Sequence, residues 1–541
     1  MSASNTIRAA DALARRLYDE GCRFAFGMPG GEVLTLVDAL EAAGIRFVLC
    51  KHENAAGFMA EAAWHMTGAP GILVATIGPG VLNGVNSVAN ALQDRVPLIV
   101  LAGCVDADEA QTYTHQVLDQ QAVFRPITKA TFTLSAGAAH VIADKAVAIA
   151  REGRPGPVHI DVPISVADTP IPEHHPARRA TPQPTAPSGA ALETARAWLN
   201  TTKRPVMIVG VDAMNDQAGD AITEFSERFG IPVISTYKAK GLIDEHHALS
   251  LGGAGLSPLA DRHLVPFMEQ SDLIICVGYD PIEMRPGWRD IWDTRTQRVI
   301  DITAAANHHY MHQANLSFIA DCAASLAAIS EGVTPPGGAW AQGQIAAVKE
   351  ALSGAFPSNE TWGPAAVIDT CRQILPEGTI ATADSGAHRI LLSQMWRCEA
   401  PRGLLQSSAL CTMGCAVPLA MGVKLCAPER PVVSFSGDAG FLMVAGELAT
   451  AAELEIAPIF IVFVDASLAL IEQKQRGRQM RNTGVDFGRH DFAAIGRAMG
   501  GNGHRVSDRE SLKKALQSAQ SAEKFTVIAC EIERESYDGR I

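Results

Sequence analysis

Asp438 and Asp465 carry the clearest chemical meaning in the chain, because each ends a short β-branched run, in RPVVSFSGDAG and in PIFIVFVDAS. The stretch from 430 to 467 reads as strand, Gly-rich turn, helix, strand and a second acidic turn. One such unit takes about 30 residues, so this spacing can bring both carboxylates to the same edge of a sheet. Hard oxygen donors of this kind suit Mg²⁺ or Ca²⁺. Gly437 and Gly440 would let backbone amides approach a diphosphate at the start of a helix. The same spacing equally suits two helix caps, with Asp438 capping a helix over 441–455 and Asp465 capping the next. A third carboxylate, Glu53, follows the run RFVLCK and opens the helical stretch ENAAGFMAEAA, where by position alone it complements the helix dipole. The turn TIGPGVLNG offers Gly78, Gly80 and Gly84 as a dinucleotide loop. Its spacing is one residue too long, and Asp94 comes too early for the expected ribose-binding acid.

Positioning such residues requires strands that end side by side. GILVAT, RPVMIVG, DLIICVG, RPVVSFSG and PIFIVFV alternate with Ala- and Leu-rich helical stretches, which predicts an α/β protein with parallel sheets and helices on both faces. Ligands of such sheets bind beyond the carboxyl ends of the strands. Six prolines between Pro170 and Pro187 predict an extended linker, and Pro335, Pro336, Gly337 and Gly338 predict a second break. The expected units are therefore three doubly wound parallel-sheet domains over 1–170, 188–333 and 345–541.

Composition narrows the partners. The 541 residues are 47% hydrophobic and 19% charged, a balance usual for a globular α/β enzyme and foreign to disordered chains. The net charge of -13 is spread along the sequence, and no Lys/Arg cluster is interleaved with aromatics, so nucleic acid is not an expected partner. Eleven cysteines without a C-x-x-C pair predict reduced thiols and a cytoplasmic location, with Cys411 and Cys415 as buried packing residues. No export signal and no run of about 18 uncharged apolar residues is present, so no membrane is expected.

GDAGF, with VDAS beginning 26 residues after its Asp, resembles the cofactor motif of thiamine-diphosphate enzymes, which runs from GDG to an Asn pair. Ala439 replaces the second Gly, and Val464-Asp465 replaces the Asn pair; the variant with Asp there resembles the catabolic acetolactate synthases. The resemblance implies Asp438 and Asp465 as side-chain metal ligands and Ser467 as a carbonyl ligand. DSGAH is similar to the family's diphosphate loop, implying contacts from Gly386, Ala387 and His388. In SALCTMGCAVPLAMG it implies the carbonyl of Cys411 on the pyrimidine amino group and Met413 under the bent cofactor. Gly437, Ala439, Gly440 and Leu470 complete the implied cofactor contacts, Leu470 and Ile471 also forming an apolar wall.

The first segment resembles the family's pyrimidine-binding domain, the last its diphosphate-binding domain. Glu53 would then hydrogen-bond the aminopyrimidine and drive proton transfer through the ring. THQVLDQQ, VGYDPIE and GVDFGRHDFAAIGRAMG resemble the catabolic group, with Gln116 facing the reacting centre and His115 beside it, or else a satisfied, partly buried histidine. The resemblance implies thiamine diphosphate and Mg²⁺ without FAD, and decarboxylation of pyruvate with ligation to a second 2-keto acid, giving 2-acetolactate. It also implies a dimer or tetramer with interfacial sites. A related decarboxylase, lyase or hydrolase would share the cofactor signature, and a noncatalytic cofactor-binding protein is a distant alternative. Lys474 departs from both groups, which carry Trp or Gln there; it could receive a carboxylate or be a solvated helix lysine.

Overall fold

A computed structural model describes residues 6–541 apart from 174–176, 178–179, 181, 184 and 336–339. Its frame is three six-stranded sheets, each parallel throughout. In the first, the strands lie in spatial order Arg46–Leu49, Phe24–Met28, Gly71–Ala75, Leu98–Cys104, Val158–Pro163 and Ala130–Thr133. The third runs Leu404–Gln406, Ile380–Ala383, Val432–Gly437, Ile459–Val464, Thr526–Glu531 and Asn502–Val506. These two sheets share one winding: the first strand of the chain lies second in space, and the third strand lies beside it. The central sheet is wound differently, in the order Ser250–Ala254, Val233–Thr236, Pro205–Val209, Leu273–Val277, Arg298–Thr303 and Leu316–Ile319. The central strands Leu98–Ala102, Val206–Val209 and Phe460–Val464 are continuous buried runs, as expected where helices cover both faces.

The first and third sheets are joined by one hydrophobic core that includes Phe26, Phe58, Met59, Val417, Phe441 and Phe492. Its axis is the packing of helix Glu53–Thr67 along helix Ala416–Cys426. A Cβ on Gly422 would stand 2.7 Å from the Met59 carbonyl oxygen and 2.7 Å from Ala62 Cβ, so the helices approach closely only because that position has no side chain. Polar contacts dock the central domain on its neighbours: Arg95 reaches Asp280 at 2.8 Å, and Glu245, paired with Lys240 of its own domain, accepts the Cys398 amide at 2.7 Å.

Several sequence expectations need correction. The proline stretch does not begin as a linker, since Pro170–Pro172 pairs antiparallel with Thr6–Arg8; in a two-stranded ribbon the missing amides fall at an edge. Of the second break, Pro336, Gly337 and Gly338 lie outside the described residues. The helix expected over 441–455 is two helices, Asp438–Val444 and Glu447–Glu453. Cys415 is fully buried, but Cys411 is half-exposed. All eleven thiols are free.

Candidate active site

In the third sheet the chain reverses its winding between Ile380–Ala383 and Val432–Gly437, which lie side by side. A crevice opens beyond their carboxyl ends, as it must at such a switch point. Both loops there carry the residues singled out above. Ser385, Gly386, Ala387 and His388 line the crevice with Met413, Gly437, Asp438, Ala439, Gly440, Asp465, Ser467, Leu470 and Ile471. Phe463 and Tyr537 close its wall.

Neither aspartate caps a helix. Asp438 is the first residue of its helix, whose cap Gly437 has no side chain, and Leu468 makes no capping bond to helix Ala469–Gly477. Instead Asp438 accepts the amide of Ala439 at 2.7 Å and that of Ala466 at 2.8 Å. Asp465 accepts the amide of Ser467 at 3.2 Å. Burial and then the Asp438 charge push the Asp465 carboxyl up to about 7. Burial likewise raises Asp438. Two buried carboxylates, one of them raised by the charge of the other, make a site whose repulsion a cation relieves.

Among the described residues no group of three or more His, Cys, Asp or Glu could hold a metal. Two carboxylates and a backbone carbonyl would leave an Mg²⁺ shell open to further oxygen donors, such as those of a diphosphate. Helix Ala387–Met395 starts at the crevice and presents its first amides where such a diphosphate would lie. The residues present therefore fit a metal-bound diphosphate. Met413, Phe463, Leu470 and Ile471 supply apolar surface beside it.

Asp384, which sequence reading passed over inside DSGAH, organises this crevice. Its carboxyl takes the Gly414 amide at 2.7 Å and stands 2.9 Å from His388 Nε2. A Cβ on Gly440 would fall 1.9 Å from Asp384 Oδ2, so Gly440 is required by the carboxyl behind it. Gly437 is not so constrained, its nearest would-be contact being His388 at 3.6 Å. Glu472, also passed over, accepts the Ser467 hydroxyl and takes Arg534 at 3.0 Å, bracing the turn after Asp465. No sequence signal marked Tyr537, which returns to the crevice from far along the chain.

Cys411 does not line the crevice; it has a left-handed backbone (φ 58°) and its thiol accepts from Arg389 at 3.2 Å.

A second constellation lies in the first domain. Glu53 is buried at the start of its helix, where Asn83 donates to it at 3.0 Å. The turn at Gly78 and Gly80 folds over it: a Cβ on Gly80 would stand 3.1 Å from Glu53 Oε1, and one on Gly78 would stand 3.0 Å from the Gln116 carbonyl oxygen. A carboxyl beside this glycine turn is the wrong charge for a pyrophosphate, which removes the dinucleotide alternative. Gln116 is exposed with φ 60°. His115 is exposed as well, against the edge of Tyr113, and so is not a buried satisfied histidine. No residue of the first domain lines the Asp438 crevice of the same chain.

Comparison with known proteins fits this division. Residues 7–123 match the thiamine pyrophosphate enzyme N-terminal TPP binding domain, 192–329 the central domain and 384–530 the C-terminal TPP binding domain. An acetolactate synthase large subunit of Parasynechococcus marenigrum is 31% identical over 98% of this chain and 89% of its own length. The chain belongs to the acetolactate synthase family of thiamine-diphosphate enzymes. A catabolic acetolactate synthase of Raoultella terrigena is 28% identical, covering 97% of this chain and 95% of its own. The family also reaches to the "Probable 2-ketoarginine decarboxylase AruI" of Pseudomonas aeruginosa, 28% identical over 98% of this chain and 94% of its own. No helix among the described residues is long and apolar enough to cross a membrane.

Proposed function

We propose that this family member is an acetolactate synthase that joins a decarboxylated pyruvate to a second 2-keto acid, with thiamine diphosphate and Mg²⁺ as cofactors and without FAD, in the cytoplasm. The observation that carries the reading is the convergence of the Asp438–Asp465 pair with the start of helix Ala387–Met395 at one switch point. Asp438, Asp465 and the Ser467 carbonyl would hold the metal, and Gly386, Ala387, His388 and the amides from Gly437 to Gly440 the diphosphate. Bound there, the cofactor supplies a carbon nucleophile and an electron sink.

Glu53 is assigned to move the activating proton, held in place by Asn83. Gln116, His115, Leu470 and Ile471 would flank the substrates, and exclusion of water by the apolar wall would favour carboligation over release of an aldehyde. Because Glu53 and the Asp438 crevice belong to different linings, a complete site calls for a second copy of the chain. Exposed Leu34, Leu49, Leu82 and Met443 offer apolar surface for it. A reading without FAD fits the carboxyl ends of Pro205–Val209 and Leu273–Val277, where Arg95 is engaged by Asp280 and Arg154 by Asp212 and Thr303. The domain limits proposed are 1–170, 188–333 and 345–541.

Purified protein with thiamine diphosphate, Mg²⁺ and pyruvate, lacking FAD, tests the reading. Acetolactate as the main product is expected. Acetaldehyde would make the chain a decarboxylase, and unchanged pyruvate would require another donor.

A further inference from the structure

The loop 407–413, which delivers Met413 to the crevice, is held largely from outside its own domain. Asp94 of the first domain accepts the amides of Ser408 at 3.3 Å and Ala409 at 3.0 Å. Asn90 accepts the Ser407 hydroxyl at 2.6 Å, and that hydroxyl in turn accepts the Thr412 amide at 2.8 Å. Asn86 accepts the Thr412 hydroxyl at 3.1 Å. Three positions on one face of helix Val85–Gln93 and its end thus grip both ends of the loop.

A carboxylate this deeply buried needs a counter-ion. Asp94 has one from the central domain, Lys238 Nζ at 2.8 Å, its side chain 8% exposed against none for Asp94. Glu61 stands 3.8 Å from the same ammonium and takes Asn90 at 2.9 Å. Glu283 accepts the Lys238 amide at 2.9 Å. Three domains therefore meet in one buried polar cluster, and its outlet is the backbone of a cofactor-facing loop. Ordinary domain packing needs no such arrangement: the shared apolar core already joins the first and third domains.

We propose that Asp94 is a positioning residue, which sets the loop 407–413 and with it Met413 against the cofactor, with Lys238 as the counter-ion that makes a charged acceptor tolerable there. The inference rests on the functional reading above, because it takes the crevice to hold thiamine diphosphate. Asparagine at position 94 keeps the shape but has one acceptor oxygen, so one of the two loop amides loses its partner. Methionine at 238 keeps the length but leaves Asp94 and Glu61 buried without their cation.

The test separates folding from cofactor binding by measuring the melting temperature and the thiamine diphosphate affinity in Mg²⁺, by equilibrium dialysis well below unfolding. Asp94→Asn is expected to weaken the affinity roughly tenfold. Lys238→Met is expected to lower the melting temperature, and the double variant Lys238→Met/Asp94→Asn to recover part of it, with Glu61 alone still lacking its cation, while binding as weakly as Asp94→Asn. If affinity returns together with melting temperature in the double variant, or if Asp94→Asn binds like wild type, the cluster is merely stabilising and the proposal is overturned. Should Asp94→Asn not fold, Ser407→Ala removes two loop bonds without stranding a charge; it is expected to weaken binding several-fold, and wild-type affinity would overturn the proposal. A wild-type chain that binds no thiamine diphosphate would instead bring down the functional reading itself.

Discussion

Asp438 accepts the backbone amide of Ala466 at 2.8 Å, so the carboxyl that opens one loop is bonded to the backbone just beyond Asp465. The two proposed metal ligands are thereby set in one frame, and the turn after Asp465 is braced again by Glu472 on Ser467. Removing Asp465 should leave that frame standing, because Asp438 bonds to the main chain at 466 and not to the side chain at 465.

Asp465→Ala is accordingly expected to fold and to weaken Mg²⁺-dependent binding of thiamine diphosphate by about 10- to 100-fold or more. Titrating the cofactor with and without Mg²⁺ checks this. Equal affinities for wild type and variant in Mg²⁺ would remove Asp465 from the ligand set.

Glu53→Gln keeps the size of the side chain and an oxygen for the Asn83 donor. Cofactor binding should persist, while turnover falls by about 10² to 10⁴, the range for losing a positioned acid or base. Wild-type turnover would show that the activating proton moves elsewhere.

Gly440→Ala should destabilise the protein by about 1–3 kcal/mol, since the new methyl would overlap Asp384 Oδ2 and displace a carboxyl that holds Gly414 and His388. Gly437→Ala meets nothing closer than 3.6 Å and should leave the apo melting temperature nearly unchanged. Equal effects on the two melting temperatures would contradict the close approach.

How much of this was legible differs by level. The sheets were written in runs such as PIFIVFV, whose lack of alternation reports burial on both faces, and the crevice residues followed from loops at strand ends. Two things were not legible. A carboxyl's partners depend on which loops become neighbours, so Asp384 and Glu472 passed unnoticed and the two aspartates could not be told from caps. The need for a glycine at 440 comes from Asp384, a contact 56 positions away that no local pattern records. The common winding of the first and third sheets leaves no repeat in sequence, because it fixes strand order and not residue identity.

Lys474 is exposed on helix Ala469–Gly477, one turn beyond Leu470 and Ile471 of the crevice wall. If it meets an anionic acceptor, Lys474→Gln should raise KM for a keto acid bearing a second carboxylate by up to about fivefold, the span of an exposed ion pair, and leave pyruvate self-condensation unaltered. Parallel changes for both acceptors would identify it as a solvated helix lysine.

Glu283 gives the clearest pH dependence. It is buried within the three-domain cluster, and burial, the largest influence, pushes its carboxyl up to about 7 from an ordinary 4.5 against the opposing pull of Thr236 and Lys238. A carboxyl whose folded value is raised binds its proton more tightly in the folded chain. Its stabilisation is complete below the unfolded value and is lost as pH rises through the folded one, here from about 4.5 to about 7. The loss amounts to about 3 kcal/mol, the free-energy equivalent of that shift. Glu283→Gln cannot titrate but can still accept the Lys238 amide through its oxygen. Denaturant unfolding between pH 5 and pH 8 should therefore show wild type losing more stability with rising pH than Glu283→Gln does. Parallel curves would mean that Glu283 is already ionised in the folded protein at pH 5, with Lys238 shared among three carboxylates.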